Sequence, residues 1–280
     1  MKPAPFEYHA PATVAEACAL LAEYGDEAKP LAGGQSLVPM LALRLARFEH
    51  LVDLNRMPEL AGVERDDGTL VVRGATRQRV LERDAQVAEA APLLAAATPL
   101  IGHFQIRNRG TVGGSLAHAD PASEYPAVAV ALGAELELAS AAGTRRVSAD
   151  EFFVGTWMTA ARDDELLVAA RFPVWSGPCG FAIEEVARRH GDFALAGVAC
   201  ALASGRAGLA LFGVGSTPVR VAAAEDALLA GAPADEVAAI VVDAIDPPAD
   251  VHASSATRAR IARHLVARAV MRAKEQHAAG

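Results

Sequence analysis

The chain has 280 residues, a formal net charge of −8, 52% hydrophobic residues and 21% charged residues. That is the composition of a globular protein with room for two domains or one large core. Its acidity argues against nucleic acid as the main partner, because phosphate binding needs a basic face. No apolar run approaches the length of a bilayer span, and the first residues lack the apolar segment of a secretory signal, so a cytoplasmic protein is expected.

Residues 6–9 predict a short strand, ended by Pro11. Thr13-Val14-Ala15-Glu16 fits a capping box, opening a helix with Val14, Ala17, Cys18 and Leu21 on one face that stops at Gly25. A strand over 29–32 runs into Gly33-Gly34, and a short apolar helix is predicted over 37–45. Strands follow at 51–54 and 70–75, the second introduced by the turn Asp66-Asp67-Gly68. Thr76 is placed as the cap of a helix through Arg83, and 87–97 reads as helical apart from Pro92. The glycine-punctuated stretch 102–120 reads as too irregular for a helix. Apolar residues of mixed helical and strand character run from 126 to 138, and 165–173 reads as a strand closed by proline. Strands alternating with helices predict α/β layers up to about residue 175.

Beyond Ser176-Gly177-Pro178 the texture changes. Strands are predicted at 181–186, 195–203 and 209–214, followed by helical tracts at 221–229 and 255–274. Strands first and helices grouped later suggest an α+β unit. The expected fold class is α+β overall: a two-part α/β domain over 1–176, then a smaller α+β domain over 177–280.

Two Gly-Gly loops carry the chemical signal. Gly33 and Gly34 sit between strand and helix in Leu31-Ala32-Gly33-Gly34-Gln35-Ser36-Leu37, and the second loop is Thr111-Val112-Gly113-Gly114-Ser115. Glycine permits positive φ and close ligand approach, and a loop opening a helix presents unpaired N–H groups suited to an anion. A Gly-Gly pair is more often just a turn. Neither loop matches Gly-x-Gly-x-x-Gly or the Walker pattern, so a Rossmann NAD site and a P-loop are both disfavoured. Generic physics leaves two possible anion cradles of unknown partnership. Cys18, Cys179 and Cys200 are far apart with no Cys-x-x-Cys pair, which excludes a self-contained thiolate iron–sulfur or zinc site. They read as small buried hydrophobes. Any iron–sulfur cluster serving this protein must sit on another chain.

The flanks of the loops are specific. Ala32 to Leu37 with Pro39 and Arg44, and Thr111 to Leu116 with Asp120-Pro121 and Pro126, closely resemble the FAD-binding medium subunit of molybdenum hydroxylases. Ile101-Gly102-His103, Gln105 to Gly110, Arg188 to Asp192, Gly213 to Arg220 and Ala253-Ser254 extend the resemblance over nearly the whole chain.

It implies that Leu31, Ala32, Gly33, Gly34, Gln35, Ser36, Leu37 and Val38 form one pyrophosphate cradle. Thr111, Val112, Gly113, Gly114 and Ser115 form the second. Ile101 and Gly102 line the cofactor, Glu124 accepts ribose hydroxyl protons, and Leu167 is an apolar contact near the flavin. Asp192 and Phe193 lie close to the isoalloxazine ring, Phe193 either stacking on it or serving as core. Gln35 stands where carbon monoxide dehydrogenases carry histidine, so CO is not named as substrate. Glu184 stands where the xanthine branch has lysine, and Thr257 where tyrosine is common.

The function so implied is an FAD-carrying electron-transfer subunit. A large molybdenum-cofactor subunit and a small 2Fe-2S subunit would be its partners, as a dimer of heterotrimers, with an external electron acceptor. The alternatives are a standalone FAD-dependent oxidoreductase with its own small substrate and an assembly module without cofactor. No catalytic acid, base or metal ligand is predicted. His103 and His118 read as local hydrogen bonders, and Trp157 and Trp175 as core or interface anchors. Arg258, Arg260, Arg263, Arg268 and Arg272 form either a solvated face or a contact for an acidic partner.

Overall fold

Thr13 caps the first helix, its Oγ1 accepting the Glu16 N–H at 3.2 Å. Glu16 reaches one residue further back than a capping box requires, to the Ala12 N–H at 2.8 Å. The computed structural model describes residues 2–280. Its first layer comprises β1 (Glu7–His9), α1 (Val14–Tyr24), β2 (Ala28–Leu31), α2 (Leu37–Ala42) and β3 (His50–Asp53). The three strands are parallel in the order β1-β3-β2, with α1 as the crossover.

The second layer is built from hairpins. β4 (Val63–Asp66) and β5 (Thr69–Arg73) are joined through Asp67 and Gly68, at φ 41° and 76°. Six short helices follow: α3 (Gln78–Leu81), α4 (Ala85–Ala90), α5 (Pro92–Ala97), α6 (Phe104–Arg109), α7 (Val112–His118) and α8 (Glu124–Leu132). Then come β6 (Glu135–Ser140), β7 (Gly143–Ser148), α9 (Ala149–Phe152), the small hairpin of β8 (Phe153–Gly155) and β9 (Met158–Thr159), and β10 (Leu166–Pro173). The sheet order is β4-β5-β10-β6-β7 and every pairing is antiparallel. Parallel pairing is thus confined to the first sheet. Tight turns make two hairpins here, and a tight turn can join only antiparallel neighbours.

The last third forms β11 (Cys179–Ala187), β12 (Ala194–Ala203), β13 (Arg206–Phe212) and β14 (Val219–Arg220), an antiparallel sheet, then α10 (Ala222–Leu229), α11 (Ala234–Ala244) and α12 (Ser255–Ala279). The alternation of β12 divides its side chains between two cores. Val198, Cys200 and Leu202 pack under the helices α10 to α12, while Ala199 and Ala201 join the core that contains α8. All nine residues of α8 are buried. Gly208 of β13 lets α8 approach, since a side chain there would collide with the backbone of Ala131.

Several local expectations shift. Thr76 does not cap a helix: it is buried, and its hydroxyl accepts from the Gly62 N–H and donates to the Gly62 carbonyl, both at 2.9 Å. The following helix begins at Gln78. Pro92 splits 87–97 into two helices by starting the second, where its missing N–H costs nothing. The stretch 102–120 is helical after all, in α6 and α7. Thr111 caps α7, accepting the Gly114 N–H at 3.0 Å, and the two glycines lie inside its first turn. The charged edge strand β4, the pair β14 and the helix α11 had no counterpart in the sequence reading. Among the described residues no helix is long and apolar enough to cross a membrane.

Candidate functional site

The parallel strands β2 and β3 end on a cleft of about 490 Å³, where Leu31, Ala32, Gly33, Gly34 and Gln35 meet Tyr8, Val38, Pro39, Asp53, Asn55 and Arg109. Carboxyl ends of parallel strands are where α/β layers commonly place ligands. Gly34 has φ 72°, a conformation that a side chain would strain. The N–H groups of Gly33, Gly34, Gln35 and Ser36 have no hydrogen-bond partner among the described residues. Four consecutive free donors in a half-buried loop suit an anion with several oxygens. The Gln35 side chain curls back, its Nε2 donating to the Gly33 carbonyl at 3.2 Å. Ser36 and Leu37 carry the loop into α2 behind the cleft wall.

The second loop lies directly against the first. A Cβ on Gly33 would stand 2.8 Å from Gly110 Cα and closer still to the Arg109 carbonyl. One on Gly114 would stand 2.7 Å from Thr111 Oγ1 and 3.4 Å from Ala32 Cβ. The two loops are therefore one wall whose close fit depends on missing side chains. They are not equivalent in donors. Val112 N–H donates to Thr76 O at 3.0 Å, Gly113 to Gly74 O at 2.8 Å, Gly114 to Thr111 Oγ1, and Ser115 to Thr111 O at 3.1 Å. As the first turn of a packed helix, this loop spends its N–H groups on the protein, contrary to the sequence expectation. What it retains is shape and the half-buried Ser115 hydroxyl.

Positive charge comes from Arg109, an exposed residue that lines the cleft and has no carboxylate partner among the described residues. Its carbonyl accepts from Arg77 Nη1, and Arg77 Nη2 reaches Asn55 Oδ1 at 2.5 Å. Burial, reinforced by the neighbouring charge of Arg109, lowers the Arg77 pKa. Asn55 Nδ2 donates to the Ala32 carbonyl at 3.0 Å, and Asp53 accepts from the Asn55 N–H at 2.9 Å and from the Tyr8 hydroxyl. The hydrogen bond to Asp53 is the main cause of a raised Tyr8 pKa. Sequence reasoning missed this network. The available signals were Arg109 within the 105–110 motif and Asp53 at the carboxyl end of a predicted strand.

Helix α6 links this cleft to a second of about 790 Å³ that contains Asp192 and Phe193 together with Asp120, Trp157, Asp250 and Arg258. At the start of α6, His103 lies beneath Gly191, so the Asp192-Phe193 loop rests on the 102–103 turn. Arg107 fixes that turn by donating to the carbonyls of Ile101 at 3.1 Å and Gly102 at 3.0 Å while pairing with Glu82. Phe193 is 66% exposed, which rules out the core alternative. Trp157, also expected as an anchor, is 58% exposed at φ 57°, and its Nε1 donates to Asp120 at 3.2 Å. Trp175 does anchor an interface, with Nε1 donating to Leu132 O at 3.4 Å and Arg206 lying over its ring.

Two predicted residues stand elsewhere. Leu167 is buried at a bulge in β10; its carbonyl presses on Gly74, which in turn receives Gly113. It supports the second loop from behind. Glu124, at the start of α8, is 7% exposed, and burial pushes its pKa up to about 8, with Glu185 and Asp120 adding like charge. The carboxyl therefore holds a proton at neutral pH and can donate, where the sequence reading expected a pure acceptor. Burial likewise raises Glu185 to about 7, and its Oε2 is buried without a partner.

Residues 4–175 match the family described as the FAD binding domain in molybdopterin dehydrogenase, and residues 181–273 match the CO dehydrogenase flavoprotein C-terminal domain. This chain is an FAD-binding medium subunit of the molybdenum hydroxylase family. It is 39% identical to the carbon monoxide dehydrogenase medium chain of Hydrogenophaga pseudoflava, over 96% of this chain and 97% of that one. It is 38% identical to caffeine dehydrogenase subunit beta of Pseudomonas sp. strain CBB1, over 99% and 97%. The solved structure of the Hydrogenophaga pseudoflava carbon monoxide dehydrogenase superposes with a TM-score of 0.95 at 40% identity, covering 99% of each chain. The medium-subunit cofactor is FAD. The free donors of residues 33–36 and the unpaired Arg109 fit the chemistry of its pyrophosphate.

Proposed function

We propose that this chain is the electron-transfer subunit of a molybdenum-containing hydroxylase. It holds FAD between the 2Fe-2S clusters of a small partner subunit and an external acceptor, and substrate chemistry takes place at a molybdenum cofactor on a large subunit. Bound FAD supplies chemistry that amino acids lack, since it can exchange electrons singly or in pairs. The chain's own residues bind and orient it. In this reading Leu31 to Val38 and Arg109 hold the pyrophosphate, and Thr111 to Ser115 shape the wall beside it. Ile101, Gly102, Asp192 and Phe193 border the remainder of the cofactor, Glu124 donates from its protonated carboxyl, and Leu167 acts through Gly74. Residues 1–176 form the FAD-binding part and 177–280 the C-terminal part, and the assembly is a dimer of heterotrimers.

The observation that carries the reading is the set of four free N–H groups beside an unpaired arginine, in a chain of this family. A standalone oxidoreductase would instead turn over its own small substrate at the flavin, without partner subunits. The test is co-purification from the native host with cofactor and metal analysis, alongside assay of the isolated FAD-loaded chain. Molybdenum, iron and flavin in one complex, with an inert isolated chain, is the expected result. Robust turnover by the chain alone overturns it.

A further inference from the structure

Two histidines meet on the side of β1 opposite to Tyr8. Glu7 and His9 alternate with Tyr8 along the strand, so they share the other face. The parallel register sets Glu7 opposite His50 at the start of β3. His9 Nε2 and His50 Nδ1 are 3.0 Å apart, and the Glu7 carboxylate is 3.7 Å from His50 Nδ1. Tyr24, at the end of α1, stacks on the His50 ring with centroids 3.8 Å apart and planes 10° from parallel. Ligand atoms of Glu7, His9 and His50 all lie within 4.8 Å of one another, and so do those of Glu27, Glu49 and His50.

We propose that His9, His50 and Glu7 form a binding site for a divalent transition metal of the Zn²⁺ class, completed by water and clamping β1 to β3. The distances fit coordination. Zn–N bonds of ~2.0–2.1 Å at a tetrahedral angle set two imidazole nitrogens about 3.3 Å apart, a few tenths beyond the present separation. Two imidazoles with one carboxylate are an ordinary zinc donor set, and the imidazoles select transition metals over Ca²⁺ and Mg²⁺. The stacked Tyr24 holds the His50 ring in place, as groups around metal ligands commonly do. A hydrogen bond between the rings accounts for their contact but not for the Glu7 carboxylate beside both of them, nor for those of Glu27 and Glu49 beside His50. When the metal enters, that hydrogen bond is lost and the shared proton moves to the other nitrogen of its own ring. The site is independent of the cofactor reading.

The test is calorimetric titration of the FAD-loaded full-length chain with Zn²⁺, with Mg²⁺ and Ca²⁺ as controls, plus X-ray absorption at the zinc edge at one equivalent. One saturable Zn²⁺ site is expected, with two imidazoles and oxygen ligands in its shell. His9→Ala and His50→Ala should each weaken Zn²⁺ at least tenfold, and Glu7→Gln several-fold. Zn²⁺ should raise the melting temperature of the wild type and not of the histidine variants. Absence of saturable heat, wild-type affinity in both histidine variants, or a shell with fewer than two imidazoles overturns the proposal. The absorption measurement on wild-type protein decides the matter even if a variant fails to fold.

Discussion

Gly114 faces Ala32 across the seam between the two glycine loops, so closely that a Cβ on Gly114 would touch that of Ala32 at 3.4 Å. Segments remote in sequence thus become one surface. The contact works because one partner is glycine and the other is the smallest side chain that L-geometry allows.

Gly114→Val should fill that seam. The branched side chain also strikes Thr111 Oγ1, so part of the α7 cap is lost at about 1 kcal/mol. We expect flavin content, read from the visible-to-ultraviolet absorbance ratio, to fall at least tenfold. The apo chain should keep its circular dichroism and lose a few degrees of melting temperature. Wild-type flavin content in the variant would mean that the cofactor does not use this wall.

Arg109→Ala removes a cation that makes no ion pair among the described residues. FAD affinity should drop ten- to hundredfold, about 1.4–3 kcal/mol, in a fluorescence titration. The apo melting temperature should stay within a degree or so of wild type. Arg109→Lys should recover part of the binding by restoring charge without the planar fork. An unchanged affinity in the alanine variant would place the phosphates elsewhere.

Glu124 and Glu185 make the apo chain lose stability as pH rises from mildly acidic to about 8. Burial raises both folded-state pKa values, to about 8 and about 7 from the ordinary glutamate value of 4.5. Between 4.5 and the folded value the native state holds protons that the unfolded state has released. Their contribution is complete below pH 4.5 and is lost as pH rises through about 7 and 8. Melting temperature should therefore decline across this window. In Glu124→Gln the decline should be visibly shallower, and a parallel profile would mean that Glu124 is ionised in the native state.

Arg258 fastens the lip of the second cleft. It is buried, donating to the Gly213 carbonyl at 3.0 Å, to the Leu195 carbonyl at 2.5 Å and to Asp250 at 2.6 Å. Hydrogen bonds from the backbone N–H groups of His252 and Ala253, helped by Arg258, hold Asp250 at a pKa of about 2. Arg258→Leu should cost about 3 kcal/mol in denaturant unfolding by stranding two carbonyls. A change below 1 kcal/mol would indicate that water replaces the guanidinium.

The helices and strands with strong apolar periodicity were legible in the sequence: α1 from its cap and stripe, β10 from its continuous apolar run, β12 likewise. The helix α7 was not, because two glycines carry a low helical propensity that packing on Gly74 and the Thr111 cap override. Edge strand β4 was hidden by its charged residues Glu64, Arg65 and Asp66, which an exposed edge tolerates. Loop wording located the cleft, yet Tyr8, Asp53, Asn55 and Arg77 act through a network joining β1, the end of β3 and the loop before α3. No local pattern encodes that convergence. The protonation of Glu124 was equally out of reach, because it depends on burial by residues distant in sequence.

Helix α8 lies with every residue buried, its faces covered by the five-stranded sheet, α5 and the sheet of β11 to β13. Severing the chain at residue 177 would therefore expose greasy surfaces on both pieces, and neither piece should remain soluble by itself. Melting should register as a single event across the molecule, so damage to the C-terminal sheet would be felt by the flavin cleft without any altered contact there.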